Sequence, residues 1–213
     1  MQTLDHDADI ATACARLAGC EPRFAAIIDA HGHPPLRRMR DGLPGVLRIV
    51  TDQLISLKAG EAIWRRIEAE LSPFEPTLIA RKPEASLMKL GLSGAKARCF
   101  RAVAQAAASG LLDFTALHNL PDADVLAALT ALTGIGAWTA DIYLLAAMGR
   151  TDAWPCGDLA LQVGAQHLLN LPGRPSSRQL TVLAEAWRPH RAVAARLLWS
   201  HYRSLKCMSQ TVT

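Results

Sequence analysis

Residues Leu132-Thr133-Gly134-Ile135-Gly136-Ala137-Trp138-Thr139-Ala140-Asp141 decide how this chain reads. They lie between two stretches whose apolar residues recur at helical spacing. Two glycines one residue apart permit a tight turn with positive φ and leave no Cβ in the way of an approaching group. Ile135 between them can plug into a core and lock the turn. The backbone N–H groups of Gly136, Ala137 and Trp138 then stand at a helix N-terminus, aimed outward. An anion such as a DNA phosphate fits there without any readout of bases. A plain corner between two helices is the other reading of an isolated Gly-x-Gly. The Trp-Thr-Ala that follows, and the Gly157-Asp158 pair downstream, favour the anion site.

Working outward, alternating β-branched runs are missing, and Ala and Leu dominate at a period near 3.6. The pattern predicts helices at roughly 5–18, 22–30, 44–56, 59–71, 83–90, 95–109, 121–131, 137–148, 159–170, 177–187 and 190–205. Pro121 with Asp122 and Asp124 marks one start; Gly110 and Gly149 mark two ends. One stretch looks extended: Asp152-Ala153-Trp154-Pro155-Cys156-Gly157. Pro155 biases Trp154 away from helix, and Gly157 permits an unusual backbone angle before the next helix. The expected fold is all-α, in two helical lobes with a cleft between them. Residues of about 44–157 form the first lobe, and 1–43 with 158–213 the second. Asp158 is expected at the cleft.

The bulk properties narrow the class without deciding it. Half of the 213 residues are hydrophobic and a fifth are charged, a globular composition. The net charge of +4 points weakly to a polyanionic partner. Five cysteines, widely spaced and with no CxxC, argue for reduced thiols and against a disulfide framework or a zinc site. His31-Gly32-His33 reads as a turn, since no acidic or cysteine partner lies near it in sequence. With no secretory pattern and no apolar run of spanning length, a cytoplasmic protein without membrane contact is expected.

The hairpin residues resemble those of the helix-hairpin-helix (HhH-GPD) DNA glycosylase superfamily, which pairs such a turn with a following Gly/Pro-rich segment ending in an aspartate. Here that segment is Trp154-Pro155-Cys156-Gly157-Asp158, with Asp158 22 positions after Gly136. Asp52-Gln53-Leu54-Ile55-Ser56, Leu90-Gly91-Leu92-Ser93 with Lys96-Ala97, Trp187-Arg188-Pro189-His190-Arg191 and Trp199 extend the likeness over about 44–200. Within the superfamily the resemblance is closest to enzymes of the 3-methyladenine DNA glycosylase II type. It implies a monofunctional glycosylase that hydrolyses the N-glycosidic bond of alkylated purines in double-stranded DNA, acting as a monomer in base excision repair. No room is left for the N-terminal β domain of longer relatives. Thr133 stands where proline is common, Asp52 where glycine or glutamine is usual, and Ile142 and Leu159 where two pocket tyrosines are expected.

The resemblance assigns roles that the residues can support chemically. Asp158 is the catalytic carboxylate, stabilising positive charge on the sugar and directing water. It also suits the N-cap of the following helix, and one carboxylate can do both. Trp138 stands where relatives that cleave the backbone carry a Schiff-base lysine, so hydrolysis without lyase activity is expected. Trp138 and Trp199, with Ile142 and Leu159, line the base pocket, an electron-rich indole facing a cationic base. Trp64, Trp154 and Trp187 read as core. Leu54, with Gln53 beside it, is the candidate wedge that fills the gap left by a flipped base; a buried leucine on an amphipathic helix is the alternative. The carbonyls of Thr130, Leu132 and Ile135 are implied as a monovalent cation site. No cofactor is required, and a lone C-terminal Cys207 excludes the iron–sulfur cluster of some relatives. The competing readings are a non-catalytic hairpin protein that only binds DNA, and a glycosylase for other lesions such as hypoxanthine.

Overall fold

The computed structural model describes residues 2–211, with side chains as far as Cys207. Helices run the length of the chain: α1 (Asp7–Cys20), α2 (Arg23–His31), α3 (Leu43–Asp52), α4 (Leu57–Leu71), α5 (Pro76–Arg81), α6 (Glu84–Lys89), α7 (Gly94–Ala108), α8 (Phe114–Leu117), α9 (Asp122–Thr130), α10 (Ala137–Ile142), α11 (Leu159–Leu168), α12 (Ser177–Leu183) and α13 (Arg191–Thr211). A π-helical turn, Tyr143–Ala147, continues α10, and a 3-10 turn, Ala184–Trp187, continues α12. Among the described residues, β pairing is confined to one bridge, Thr3 with Arg150. The all-helical expectation holds.

Two differences bear on function. The helix expected over 44–56 stops at Asp52, because Gln53 is extended (φ −54°, ψ 128°) and Leu54 turns left-handed (φ 56°). The helix expected over 137–148 changes at Tyr143 to the wider π turn. The short helices α5 and α8 were not expected; Glu75 and Asp113 cap them through their side chains.

The chain forms two compact units: Met39–Met148 is one, and the segment up to Arg38 together with the chain from Gly149 onward is the other. These divisions fall at 39 and 148, where 44 and 157 are expected. The reason at the second boundary is backbone pairing of the N-terminal segment with residues 149–151: Leu4 N–H donates to the Gly149 carbonyl (2.8 Å) and Thr151 N–H to that of Gln2 (3.2 Å). Residues 149–157 therefore belong with the N-terminal segment.

In the unit Met39–Met148, α7 buries Ala97, Cys99, Phe100, Val103 and Ala104, with α5 and α6 packed along it. Helix α3 adds Val46, Leu47, Ile49 and Val50 to that core. Tyr143, buried on the π turn, donates its hydroxyl to Asp41, which also meets His118 and accepts from Gly42 N–H (2.7 Å). Burial raises the Asp41 carboxyl's pKa, but the hydrogen bonds from Tyr143, His118 and Gly42 outweigh it and leave it below its ordinary value.

In the other unit α11 lies along α13 at close range, since a Cβ on Gly164 would come 3.0 Å from the Leu198 carbonyl oxygen. Phe24 and Trp154 both meet Trp187 edge-on, at centroid distances of 5.2 and 5.5 Å. Trp154 and Trp187 are core residues, as is Trp64 in the unit Met39–Met148.

Candidate active site

Of the two hairpin glycines, only Gly134 takes the positive φ expected of both, at 87°. A Cβ there would lie 2.7 Å from Cys99 Cβ and 2.9 Å from its sulfur, so the turn is pressed onto α7. Gly136 is extended (φ −96°, ψ 173°) and is the N-cap of α10. A Cβ on Gly136 would meet nothing within 4 Å. Gly134 is thus required by the fold, whereas Gly136 keeps open the space in front of the helix. Ile135 between them is buried, as the pattern implies. Gly136 offers no side-chain cap to the first turn of α10, and the space in front of it is open. The Leu132 carbonyl accepts from Ile135 N–H at 3.1 Å, closing the turn.

The same unit presents a second feature. Between the end of α3 and Ser56, whose hydroxyl caps α4 by accepting from Ala59 N–H (3.2 Å), the chain makes an outward tip. Leu54 at its apex is fully exposed and left-handed, and Ile55 and Leu57 flank it with exposed apolar surface. The alternative of a buried helical leucine is therefore wrong. A leucine at positive φ is uncommon and costs roughly 1 kcal/mol or more, so its surroundings must impose the conformation. Gln53 does not project beside it. Its amide donates to Thr139 Oγ1 (2.8 Å) and more weakly to the Gly134 carbonyl (3.5 Å). Gln53 ties the tip to the hairpin.

Lys96 and Thr139 are participants whose roles the sequence did not reveal. The Lys96 ammonium donates to the carbonyls of Thr51 and Gln53, both at 2.8 Å. Burial lowers its pKa, while Asp52 nearby acts in the opposite sense. Asp52 itself pairs with Arg48 (2.8 Å) and lies against Gly60, so it serves the α3–α4 junction. Trp138 and Ile142, both half-buried, are four residues apart on α10 and share a face.

In the other unit, Asp158 stands at the N-cap of α11. Its Oδ1 accepts from Leu161 N–H (3.0 Å) and from the Trp199 indole N–H (3.1 Å). Asp158 thus caps the helix, and it is half-buried. Leu159, the next residue, is exposed at 52%. The approach to Asp158 is built by two tight turns, Cys156 N–H to the Trp154 carbonyl (2.8 Å) and Asp158 N–H to that of Pro155 (2.9 Å). Gly157, expected to adopt an unusual angle, has no positive φ. The segment is anchored instead by Asp152, which forms a bidentate pair with the buried Arg191 at 2.8 Å on both arms. Helix α13 therefore holds the segment at Arg191 and the carboxylate at Trp199.

The fold and sequence have counterparts among known proteins. The sequence profile of the "HhH-GPD superfamily base excision DNA repair protein" family matches residues 47–189. DNA-3-methyladenine glycosylase 1 of Schizosaccharomyces pombe is 27% identical over 190 residues, covering 86% of this chain and 83% of its own. The structure of the S. pombe 3-methyladenine DNA glycosylase Mag1 in complex with abasic DNA superposes with a TM-score of 0.81 at 27% identity, covering 88% of this chain and 95% of that one. A DNA-3-methyladenine glycosidase from Bacillus halodurans gives 0.79 at 27% identity, covering 97% and 94%.

Proposed function

Because the chain belongs to the HhH-GPD superfamily of base excision DNA repair proteins, we propose that it is a monofunctional glycosylase that removes alkylated purines from double-stranded DNA. The observation that carries this reading is Asp158, a half-buried carboxylate oriented by two donors at 3.0 and 3.1 Å. A purine alkylated at N3 or N7 carries a delocalised positive charge and is already a good leaving group. The C1′–N bond breaks with its electron pair going to the base, which departs neutral, and positive charge develops on the sugar. Asp158 stabilises that charge and steers a water to C1′, accepting its proton. No general acid is needed.

The other residues fit supporting roles. Trp138, with Ile142 on the same face of α10, supplies an indole face for the cationic base, and in the other unit Leu159 and Trp199 lie next to the carboxylate in sequence and by hydrogen bond. The Gly134–Trp138 hairpin grips a phosphate independently of sequence. Leu54 enters the duplex where the base has left, and its full exposure suits that role. Three neutral carbonyls, those of Thr130, Leu132 and Ile135, suit a monovalent cation whose charge would face the phosphate, and Leu132 keeps a lone pair beyond its bond to Ile135. With tryptophan at position 138, the chemistry is hydrolytic. The protein is read as a cytoplasmic monomer; its five widely spaced cysteines suit a reducing compartment, and no described helix is long and apolar enough to cross a membrane.

The test is release of free bases from methylated duplex DNA. Wild type should liberate 3-methyladenine and 7-methylguanine, D158N should not, and borohydride should trap no covalent adduct. Binding of DNA without release of any base by wild type would leave the non-catalytic reading in its place.

A further inference from the structure

We infer that Lys96 is a positioning residue for the wedge, holding Leu54 in its exposed, left-handed conformation through the two carbonyls that precede it. The inference rests on the reading of Leu54 as the group that enters the duplex.

The geometry is confined to the unit Met39–Met148. Lys96 lies in the first turn of α7, which Ser93 caps by accepting from the Lys96 N–H (3.4 Å). From that fixed base its side chain reaches the far end of α3, and the ammonium gathers Thr51 and Gln53 at 2.8 Å each. Those two carbonyls straddle Asp52, so the chain is drawn inward just where α3 ends. The next residue, Leu54, takes φ 56° and points fully into solvent.

The Gln53 side chain is held as well, by Thr139 Oγ1 at 2.8 Å and the Gly134 carbonyl at 3.5 Å. One residue is therefore pinned twice, its main chain to α7 and its amide to the hairpin and α10. That double attachment makes the phosphate grip and the wedge a single rigid element. A backbone cap or a water could satisfy the end of α3 equally well. The attachment to α7 additionally fixes the main chain from which the next side chain points.

The experiment compares K96M, K96R, L54A and the double variant K96M/L54A in single-turnover excision of 7-methylguanine from a duplex. K96M should slow excision by about 30-fold, the scale on which small misplacements of a positioned group act, while K96R recovers to within about threefold of wild type. Affinity for an undamaged duplex, and its salt dependence, should change by no more than about twofold, because the phosphate contacts remain. If Lys96 works through Leu54, K96M should add nothing in the L54A background.

A second readout does not depend on excision: a duplex with 2-aminopurine beside an abasic-site analogue, whose fluorescence rises when a side chain enters the stack. Wild type and K96R should raise it, and K96M and L54A should not. The proposal is overturned if K96M slows excision by the same factor with and without Leu54, or if K96M raises the fluorescence as wild type does. K96Q, which keeps a polar side chain but falls one bond short of the two carbonyls, gives the same test in a milder form if K96M fails to fold. Its expected loss of fluorescence supports the proposal, and an unchanged response counts against it. A wild type that excises nothing yet shows the Lys96-dependent fluorescence would refute the glycosylase reading and leave this inference standing.

Discussion

The indole N–H of Trp199 and the carboxylate of Asp158 are joined by a 3.1 Å hydrogen bond across 41 positions of sequence. Tryptophan at this place is expected to act through its ring face. The geometry gives it a second task, because its donor and Leu161 N–H converge on one oxygen and fix the rotation of the carboxylate. W199F keeps an aromatic ring but loses the donor. Its chemical step should slow by roughly 10-fold, or about 1.4 kcal/mol, with DNA affinity nearly unchanged. Single-turnover rates and gel-shift titrations on the same methylated duplex measure the two. D158N, which can still cap α11, should lose at least about 100-fold in rate.

Leu54 trades stability for its position. Asparagine tolerates the left-handed region far better than leucine, so L54N should raise the unfolding free energy by up to about 1 kcal/mol. It should also lower excision by 10-fold or so, because an amide is a poor apolar wedge. Denaturant melts and base release give the opposing changes. A variant both less stable and fully active would contradict both halves of the argument.

The two hairpin glycines should separate cleanly. G134A must place a methyl 2.7 Å from Cys99 Cβ at a φ of 87°, and should cost about 2–3 kcal/mol. At Gly136, with φ −96° and open space ahead, alanine should leave stability within about 0.5 kcal/mol. It should weaken DNA binding severalfold, since the methyl occupies the room a phosphate needs. Thermal melts distinguish the first effect, and duplex affinity at fixed salt the second.

His201 makes stability depend on pH. Its ring meets His167 (Nε2–Nδ1 2.8 Å) and lies 6.3 Å from that of His31. Burial, then the like charges of His167 and His31, lower its pKa below 6.5. The folded state therefore favours the neutral ring, while the unfolded chain takes up a proton more readily. The stability this contributes is complete above pH 6.5 and is lost as pH falls through and below that value. The melting temperature should drop between pH 7 and 5, and H201Q should flatten part of the slope. His190, lowered mainly by its burial, leaves a remainder.

What could be read from sequence was local chemistry. The hairpin, the N-cap aspartate and the long amphipathic helices each carry their signal within a few residues. The break after Asp52 carries none: Gln53-Leu54-Ile55 contains neither glycine nor proline and continues the apolar period of α3. It is enforced from outside by Lys96, 45 and 43 positions from the carbonyls it holds. The same holds for Asp152 with Arg191, 39 positions apart. Helices α5 and α8, of six and four residues, are too short for a period to show. Gly157 suggests a conformational role by preceding Asp158, yet the turn is made by hydrogen bonds to the carbonyls of Trp154 and Pro155.

The order of the two units along the chain has a consequence for biosynthesis. Everything that shapes the hairpin and the Leu54 tip lies within Met39–Met148, a continuous stretch that can begin to fold as soon as it clears the ribosome. The unit bearing Asp158 cannot close until Arg191 and Trp199 have been made, because α13 supplies both of its anchors. The nascent protein would thus complete the unit holding the hairpin and the Leu54 tip before the unit holding Asp158.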